Sequence, residues 1–237
     1  MSEKEEAELG FGDPGGEAAE LGLGDPGGEE AELGLGDPRV LREDRGWYTR
    51  GYLPHFDSTH VMQFITFRLA DSLPQSVLRQ IEAELAHVPP TDQDRERYRQ
   101  NERWLDASMG CCALRHPQVA AVMQETLRKF DPERYRLLAW CIMPNHVHVL
   151  IHPHVSLAKI LQSWKSYTGR WAMARNAELG LGVPGEAFWM HEYWDRYIRD
   201  DVHLRRVVAY IHENPVKAGL CAAAEDWPWS SAWIAKP

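Results

Sequence analysis

Long apolar runs are missing from this chain of 237 residues: no stretch approaches the roughly eighteen uninterrupted apolar residues that a membrane-spanning helix needs. The opening MSEKEEAELG also lacks the basic-then-apolar order of a secretory signal, so no leader is expected. Both absences lead to the expectation of a cytoplasmic protein with no membrane partner. Cysteine is scarce. Cys111, Cys112, Cys141 and Cys221 show no CxxC spacing, and the adjacent pair is poorly placed for an ordinary disulfide, so reduced and mostly buried thiols are expected. An excess of positive charge is also lacking, with 26 Lys and Arg against 35 Asp and Glu, and the net charge of −9 speaks at first sight against a nucleic-acid partner.

The charge is unevenly spread, however. Residues 1–44 hold 14 of the acidic groups and only 3 of the basic ones, a net of −11, so the remaining 193 residues sum to +2. A near-neutral domain can carry a local basic face, and the charge of the whole chain is a poor guide to what its folded part binds. Within the acidic segment a unit of period twelve recurs: AELGFGDPGGEA from Ala7, AELGLGDPGGEE from Ala19 and AELGLGDPRV from Ala31. Two bulky apolar residues per unit, among Gly, Pro and acids, cannot offset the entropy of ordering the chain. Residues 1–44 are therefore expected to be a disordered acidic tail, and residues 45–237 a single catalytic domain. A fourth copy, AELGLGVPGE, lies at 177–186. Two origins suit it: duplication of an internal segment, or a tail that mimics the internal loop or a DNA strand and competes for a basic face.

Past the tail, HVMQFITFRL from His60 reads as a strand, and Ser76 to His87 as a helix with Val77, Ile81 and Leu85 on one side. Residues 89–104 are Pro-led and highly charged, and read as exposed. His116 to Phe130 has helical spacing in Val119, Val122, Met123 and Leu127. Arg136–Met143 and Val147–Ile151 read as strands separated by the turn signal Pro144-Asn145, followed by helices over Ser156–Asn176 and from about Val202 to Ile211. The order predicts an α+β fold, an antiparallel sheet with helices packed on it.

Two constellations in this frame can carry chemistry. A strand's period of two puts His146 and His148 on one face and Val147 on the other, so the pair can chelate one cation, although packed histidines show the same pattern. His152 and His154 share that parity and make a four-histidine zinc site the rival. Pro153 interrupts the ladder, and four such ligands would spread over about 27 Å of strand, too far for one tetrahedral ion. The second constellation is YIHENPVKAGL from Tyr210. Tyr210 and Asn214 are four apart and stack on one helix face, and Pro215 is expected to stop the helix directly after Asn214. A nucleophile and a polar metal ligand could be presented together there; a buried tyrosine beside a helix-ending asparagine is the structural alternative.

Histidine ligands, an amide and a phenol suit phosphoryl chemistry. A divalent ion on a scissile phosphate withdraws charge and orients the phosphorus, and such a site stabilises the phenolate of a tyrosine whose free pKa is near 10. A tyrosyl phosphate ester conserves the bond energy for rejoining, which suits strand transfer better than hydrolysis. Basic and aromatic groups interleave from Trp164 to Arg199, where Arg and Lys can neutralise phosphates and aromatic rings can stack on bases. Lys165, Tyr167, Arg170, Trp194, Arg196 and Arg199 are the candidate DNA-binding residues, with Trp171 and Trp189 assigned to the core. Tyr167, flanked by Lys165 and Arg170 in KSYTGR, competes with Tyr210 as nucleophile; Tyr210 is preferred for its partner four residues on.

Seven blocks in order, ITFRLADSLP, ERWLDASMG, AWCIMPNHVHVLI, SWKSYTGR, FWMHEYWDRYIRDDVHL, YIHENPVKAGL and DWPWSSA, resemble the REP-associated tyrosine transposases, relatives of the single-tyrosine HUH transposases of small bacterial insertion sequences. The resemblance runs from about Tyr48 to Trp233. It implies a ferredoxin-like HUH endonuclease domain with His146 and His148 as metal ligands, Tyr210 as nucleophile and Asn214 completing the site. Related enzymes carry glutamine where Asn214 stands, and asparagine is shorter by one methylene. The implied chemistry leaves a 5′-phosphotyrosine and a free 3′-hydroxyl, with Mg²⁺ or Mn²⁺ as cofactor, on single-stranded or hairpin DNA. A hairpin-DNA-binding regulator without catalysis is the alternative, a phosphodiesterase using water a third, and both monomer and homodimer remain open.

Overall fold

The computed structural model of the chain describes residues 46–49 and 54–234. The expected disordered tail, with its three repeats, lies outside the described residues. Among the described residues, six strands and five α-helices follow one another as β1 (Gly46–Thr49), β2 (Pro54–Asp57), β3 (Gln63–Arg68), α1 (Gln75–Leu85), α2 (Gln93–Asp106), α3 (Pro117–Arg128), β4 (Tyr135–Ile142), β5 (His146–Pro153), α4 (Leu157–Ala174), β6 (Trp194–Tyr197) and α5 (Asp201–Lys217). The expected α+β architecture is present. The main sheet runs β4-β5-β3-β6 with every neighbouring pair antiparallel, and β1 and β2 form a separate hairpin. Numbering its strands in chain order gives 2-3-1-4, the ferredoxin-like arrangement read from the opposite edge.

Both faces of the sheet are covered, which is why HVHVLI in β5 has no exposed face: all six residues are buried, the two histidines included. Ile65 and Phe67 of β3 and Val147, Val149 and Ile151 of β5 point to the side packed by α3 and α4. Met123 and Leu127 of α3 and Leu161 and Trp164 of α4 complete that core. Trp164 is fully buried, and its indole N–H donates to the Tyr135 hydroxyl at 2.9 Å, which in turn donates to the Leu127 carbonyl at 2.7 Å. The other face meets α5 and part of α2, through Phe64, Tyr98, Cys141, Leu150, Val207, Tyr210 and Ile211.

Several boundaries differ from the sequence reading, each for an identifiable reason. Residues 89–104, expected to be exposed, form most of α2, whose charged surface hides a narrow stripe of Tyr98, Glu102 and Leu105 at i, i+4 and i+7, all buried. Pro215 does not stop α5, which continues to Lys217; a proline in the last turn forfeits only its own N–H bond, and the Leu220 N–H bonds the Pro215 carbonyl at 2.9 Å just beyond. Strands β1, β2 and β6 are only four residues long, too short to show an alternation. The internal copy at 177–186 closes the turn after α4: Leu181 and Val183 are buried in the core, and the Asn176 amide both donates to the Val183 carbonyl and accepts from its N–H.

Candidate active site

The site begins at the β4–β5 turn. Backbone bonds from the Leu69 N–H to the Asn145 carbonyl (2.8 Å) and from the Leu114 N–H to the Pro144 carbonyl (3.1 Å) fix where β5 starts. From there the pleat sends His146 and His148 to the α5 side, with rings 4.7 Å apart and Nε2 atoms 3.0 Å apart. Register places Arg68 opposite His146 and Thr66 opposite His148, and Trp194 opposite Thr66, so these side chains share that face.

Each imidazole is oriented through its other nitrogen. His146 Nδ1 lies 2.8 Å from the Asn145 side-chain oxygen, and the Asn145 amide nitrogen is committed to the Met109 carbonyl at 3.1 Å. The amide can therefore only accept from the ring, which puts the His146 proton on Nδ1 and a lone pair on Nε2. His148 Nδ1 lies 2.8 Å from the Thr66 hydroxyl. Burial pushes the His146 pKa down to about 3, and burial, then the neighbouring His146 and Lys217, holds His148 well below its ordinary value. Both rings are neutral at physiological pH, the form that ligates metal.

Helix α5 crosses the same face. Its amino end is capped by the Asp200 carboxylate, which accepts from the His203 N–H at 2.7 Å. Toward the other end, Tyr210 and, one turn further on, Asn214 are both buried. The Tyr210 ring lies 5.4 Å from that of His148 and meets the Phe64 ring edge-on at 5.9 Å. Among the described residues, neither the nitrogen nor the oxygen of the Asn214 amide has a hydrogen-bond partner, an arrangement that costs free energy unless a ligand completes it.

A residue outside the sequence-derived set joins them. Glu102, on α2, accepts a short hydrogen bond from the Tyr210 hydroxyl and places Oε2 3.3 Å from His148 Nε2. Burial, then the nearby Asp106 carboxylate, pushes the Glu102 pKa up to about 8, while burial and Glu102 itself raise Tyr210 well above its ordinary value. Ligand atoms of Glu102, His146 and His148 all lie within 4.8 Å of one another, the one such group of three His, Cys, Asp or Glu residues among the described residues. A pocket of about 40 Å³, lined in part by Thr66, Arg68, Tyr98, Asn101 and Trp194, opens beside Glu102. The signal for Glu102 was its spacing from Tyr98 and Leu105, masked by the charge around it.

The candidate DNA-binding residues divide between the two faces. Trp194 stacks on Tyr98 at 3.9 Å, with the Arg196 guanidinium 4.7 Å from its ring, on the same sheet face as the histidines and separated from them by one strand, β3; Arg199 is exposed just before α5. Lys165, Tyr167 and Arg170 lie on α4, across the sheet. The Lys165 ammonium donates to the carbonyls of Met190, His191 and Glu192 at 3.0–3.3 Å and so ties α4 to the segment before β6. Tyr167 is half exposed, and Arg170 is exposed on an open cleft of about 790 Å³. Tyr167 is thus separated from the histidines by the sheet. Trp189 is buried and Trp171 packs against the core. His152 and His154 stand at the far end of β5, rings 5.8 Å apart, with His154 Nδ1 bonded to the Pro132 carbonyl.

Comparison with known proteins shows similarity over the segment that carries most of this constellation. Residues 114–214 match the IS200-like transposase family, a span that contains His146, His148, Tyr210 and Asn214. Over part of its length the chain is also similar to two REP-associated tyrosine transposases. A putative REP-associated tyrosine transposase of Haemophilus influenzae is 28% identical over 41% of this chain and 58% of its own length. The REP-associated tyrosine transposase of Escherichia coli K12 is 26% identical over 41% of this chain and 54% of its own. The chain thus spans a little over half the length of the curated relatives it matches. A solved structure of a REP-associated tyrosine transposase bound to a REP hairpin aligns over 77% of this chain and 82% of its own, at 17% identity and a TM-score of 0.45. Among the described residues, no helix is long and apolar enough to cross a membrane.

Proposed function

We propose that this protein is a metal-dependent single-strand DNA endonuclease and strand transferase that acts on hairpin or palindromic DNA, with Tyr210 as nucleophile. The observation that carries the reading is the proximity of two neutral imidazoles and the Tyr210 phenol on one buried sheet face, with the unpartnered Asn214 amide one helical turn beyond Tyr210. The donor set fits a divalent cation: with metal–nitrogen distances of about 2.1 Å, adjacent ligands stand roughly 3.0–3.4 Å apart, and His146 and His148 present their Nε2 atoms at 3.0 Å. His146, His148 and Asn214 would hold the ion, Mg²⁺ or Mn²⁺. Bound there, it would supply Lewis-acid polarisation of the scissile phosphate.

The rest falls to the chain itself. The Tyr210 oxygen attacks phosphorus, the phosphorus–O3′ bond breaks, the phenolic proton is lost to solvent and the departing O3′ takes one up. The products are a 5′-phosphotyrosine and a free 3′-hydroxyl. Asn145 and Thr66 keep the imidazoles turned toward the site, and Arg196, Arg199 and Trp194 flank the path by which a strand would reach it. The burial of Tyr210, only 8% exposed, favours a second reading, a hairpin-binding regulator without catalysis. One assay separates them. Full-length protein incubated with a hairpin oligonucleotide and Mn²⁺ is expected to form a covalent protein–DNA adduct that Tyr210→Phe and EDTA abolish. An adduct that survives in Tyr210→Phe overturns the nucleophile; tight binding without cleavage establishes the regulator; cleavage without an adduct makes water the nucleophile.

A further inference from the structure

We infer that Glu102 is a ligand of the same metal centre and the group that holds the Tyr210 hydroxyl against it, an inference that rests on the metal-dependent reading above. Position is the first argument. Glu102 Oε2 stands 3.3 Å from His148 Nε2, and His148 Nε2 stands 3.0 Å from His146 Nε2, the two separations that neighbouring ligands of one small cation adopt. A carboxylate and two imidazoles with ligand atoms inside 4.8 Å form a compact three-sided donor set. The second argument is charge. Two neutral imidazoles and an amide bring no negative charge to a divalent ion, and the hard cations Mg²⁺ and Mn²⁺ prefer carboxylate oxygen. Glu102 supplies that oxygen from a buried position.

The third argument is what else the carboxylate holds. The Tyr210 hydroxyl donates to the same atom, Oε2, that faces His148. One carboxylate therefore measures the distance between nucleophile and metal, and it comes from α2, a helix outside the 114–214 segment that matches the transposase family. Tyr98, one turn before Glu102 on the same helix and stacked on Trp194, fixes that face of α2 against the sheet. Glu102 thus brings to the site a ligand from a third element, beside those of β5 and α5.

The test is Mn²⁺ binding by the full-length protein without DNA, read from the loss of the free-ion paramagnetic resonance signal, with heat capacity scans to show that each variant is folded. Glu102→Gln, nearly isosteric, is expected to weaken Mn²⁺ binding at least about tenfold, as is His146→Ala. Mn²⁺ is also expected to perturb the tyrosine ultraviolet difference spectrum of the wild type, and to lose that effect in Tyr210→Phe and in Glu102→Gln. Wild-type affinity in Glu102→Gln beside a collapse in His146→Ala would overturn the Glu102 assignment and leave the metal site standing. Failure of the wild type itself to bind Mn²⁺ would overturn both. Should Glu102→Gln not fold, Glu102→Asp, which keeps the charge and withdraws the oxygen by one methylene, is expected to weaken binding to the same degree; unchanged affinity there counts against the assignment.

Discussion

The His146 ring is held by one amide whose orientation is itself fixed. Asn145 is fully buried, donates to Met109 and accepts from His146 Nδ1, so a single side chain sets both the tautomer and the aim of a proposed metal ligand. Asn145→Ala should free the ring and lower Mn²⁺ affinity by roughly 10–100-fold, while Asn145→Asp, which keeps an acceptor for the ring N–H, should stay within about threefold of wild type. Calorimetric titration with Mn²⁺ checks both; an Asn145→Ala protein that binds as tightly as the wild type would remove this role. The histidines, Tyr210 and Asn214 were legible in sequence because each pair obeys a period, two in a strand and four in a helix. Glu102 obeys one as well, but as one carboxylate among many on a charged helix it gives no sign of which acids face inward. Its role is tertiary: it is defined by what α2 packs against.

At the scale of the element, α5 carries both Tyr210, the proposed nucleophile, and a pH-dependent anchor. His203 is buried, and its Nδ1 accepts from the Arg199 N–H at 3.3 Å, which requires a neutral ring. Burial, then the nearby Arg199, pushes its pKa down to about 4 from 6.5. The sign follows from proton counts: between about 4 and 6.5 the unfolded chain binds a proton at His203 that the folded one does not, so stability falls as pH drops through that window and levels off below it. His146 and His148, also lowered, act in the same direction. In thermal melts between pH 4 and 7, His203→Gln is expected to show a shallower fall in Tm than the wild type; parallel curves would show that His203 does not titrate on unfolding. The helix itself was visible in its apolar spacing, though its end was misread, because a proline in the last turn looks in sequence like a stop. The short strands β1, β2 and β6 left no such trace, since four residues cannot establish a period and their pairing is decided by distant partners.

Over the whole molecule, the sheet separates two surfaces that the sequence ran together. Trp194 lines the pocket beside Glu102 and Arg196 lies over its ring, while Lys165, Tyr167 and Arg170 lie on α4 behind the sheet, and Lys165 is committed to backbone carbonyls. Linear interleaving of basic and aromatic residues could not reveal this, because the sheet that divides them is assembled from strands far apart in the chain. The recurring AELGLG unit is also resolved at this scale. The internal copy buries Val183, where the amino-terminal copies carry Asp13, Asp25 and Asp37, so a tail unit placed in that seat would bury an unpaired carboxylate. Direct mimicry of the internal loop is therefore disfavoured, and what the tail can exert on a DNA partner is its charge. Deleting residues 1–44 removes a net −11 from a remainder that sums to +2. The truncated protein is expected to bind a hairpin oligonucleotide several-fold more tightly at about 50 mM salt, with the advantage fading by about 0.5 M, where the Debye length has shrunk to a few ångströms. Fluorescence anisotropy across that salt range decides it: equal affinities at low salt would show that the tail's charge does not reach the DNA site, and a gain undiminished at high salt would mean that the tail occupies that site by contact.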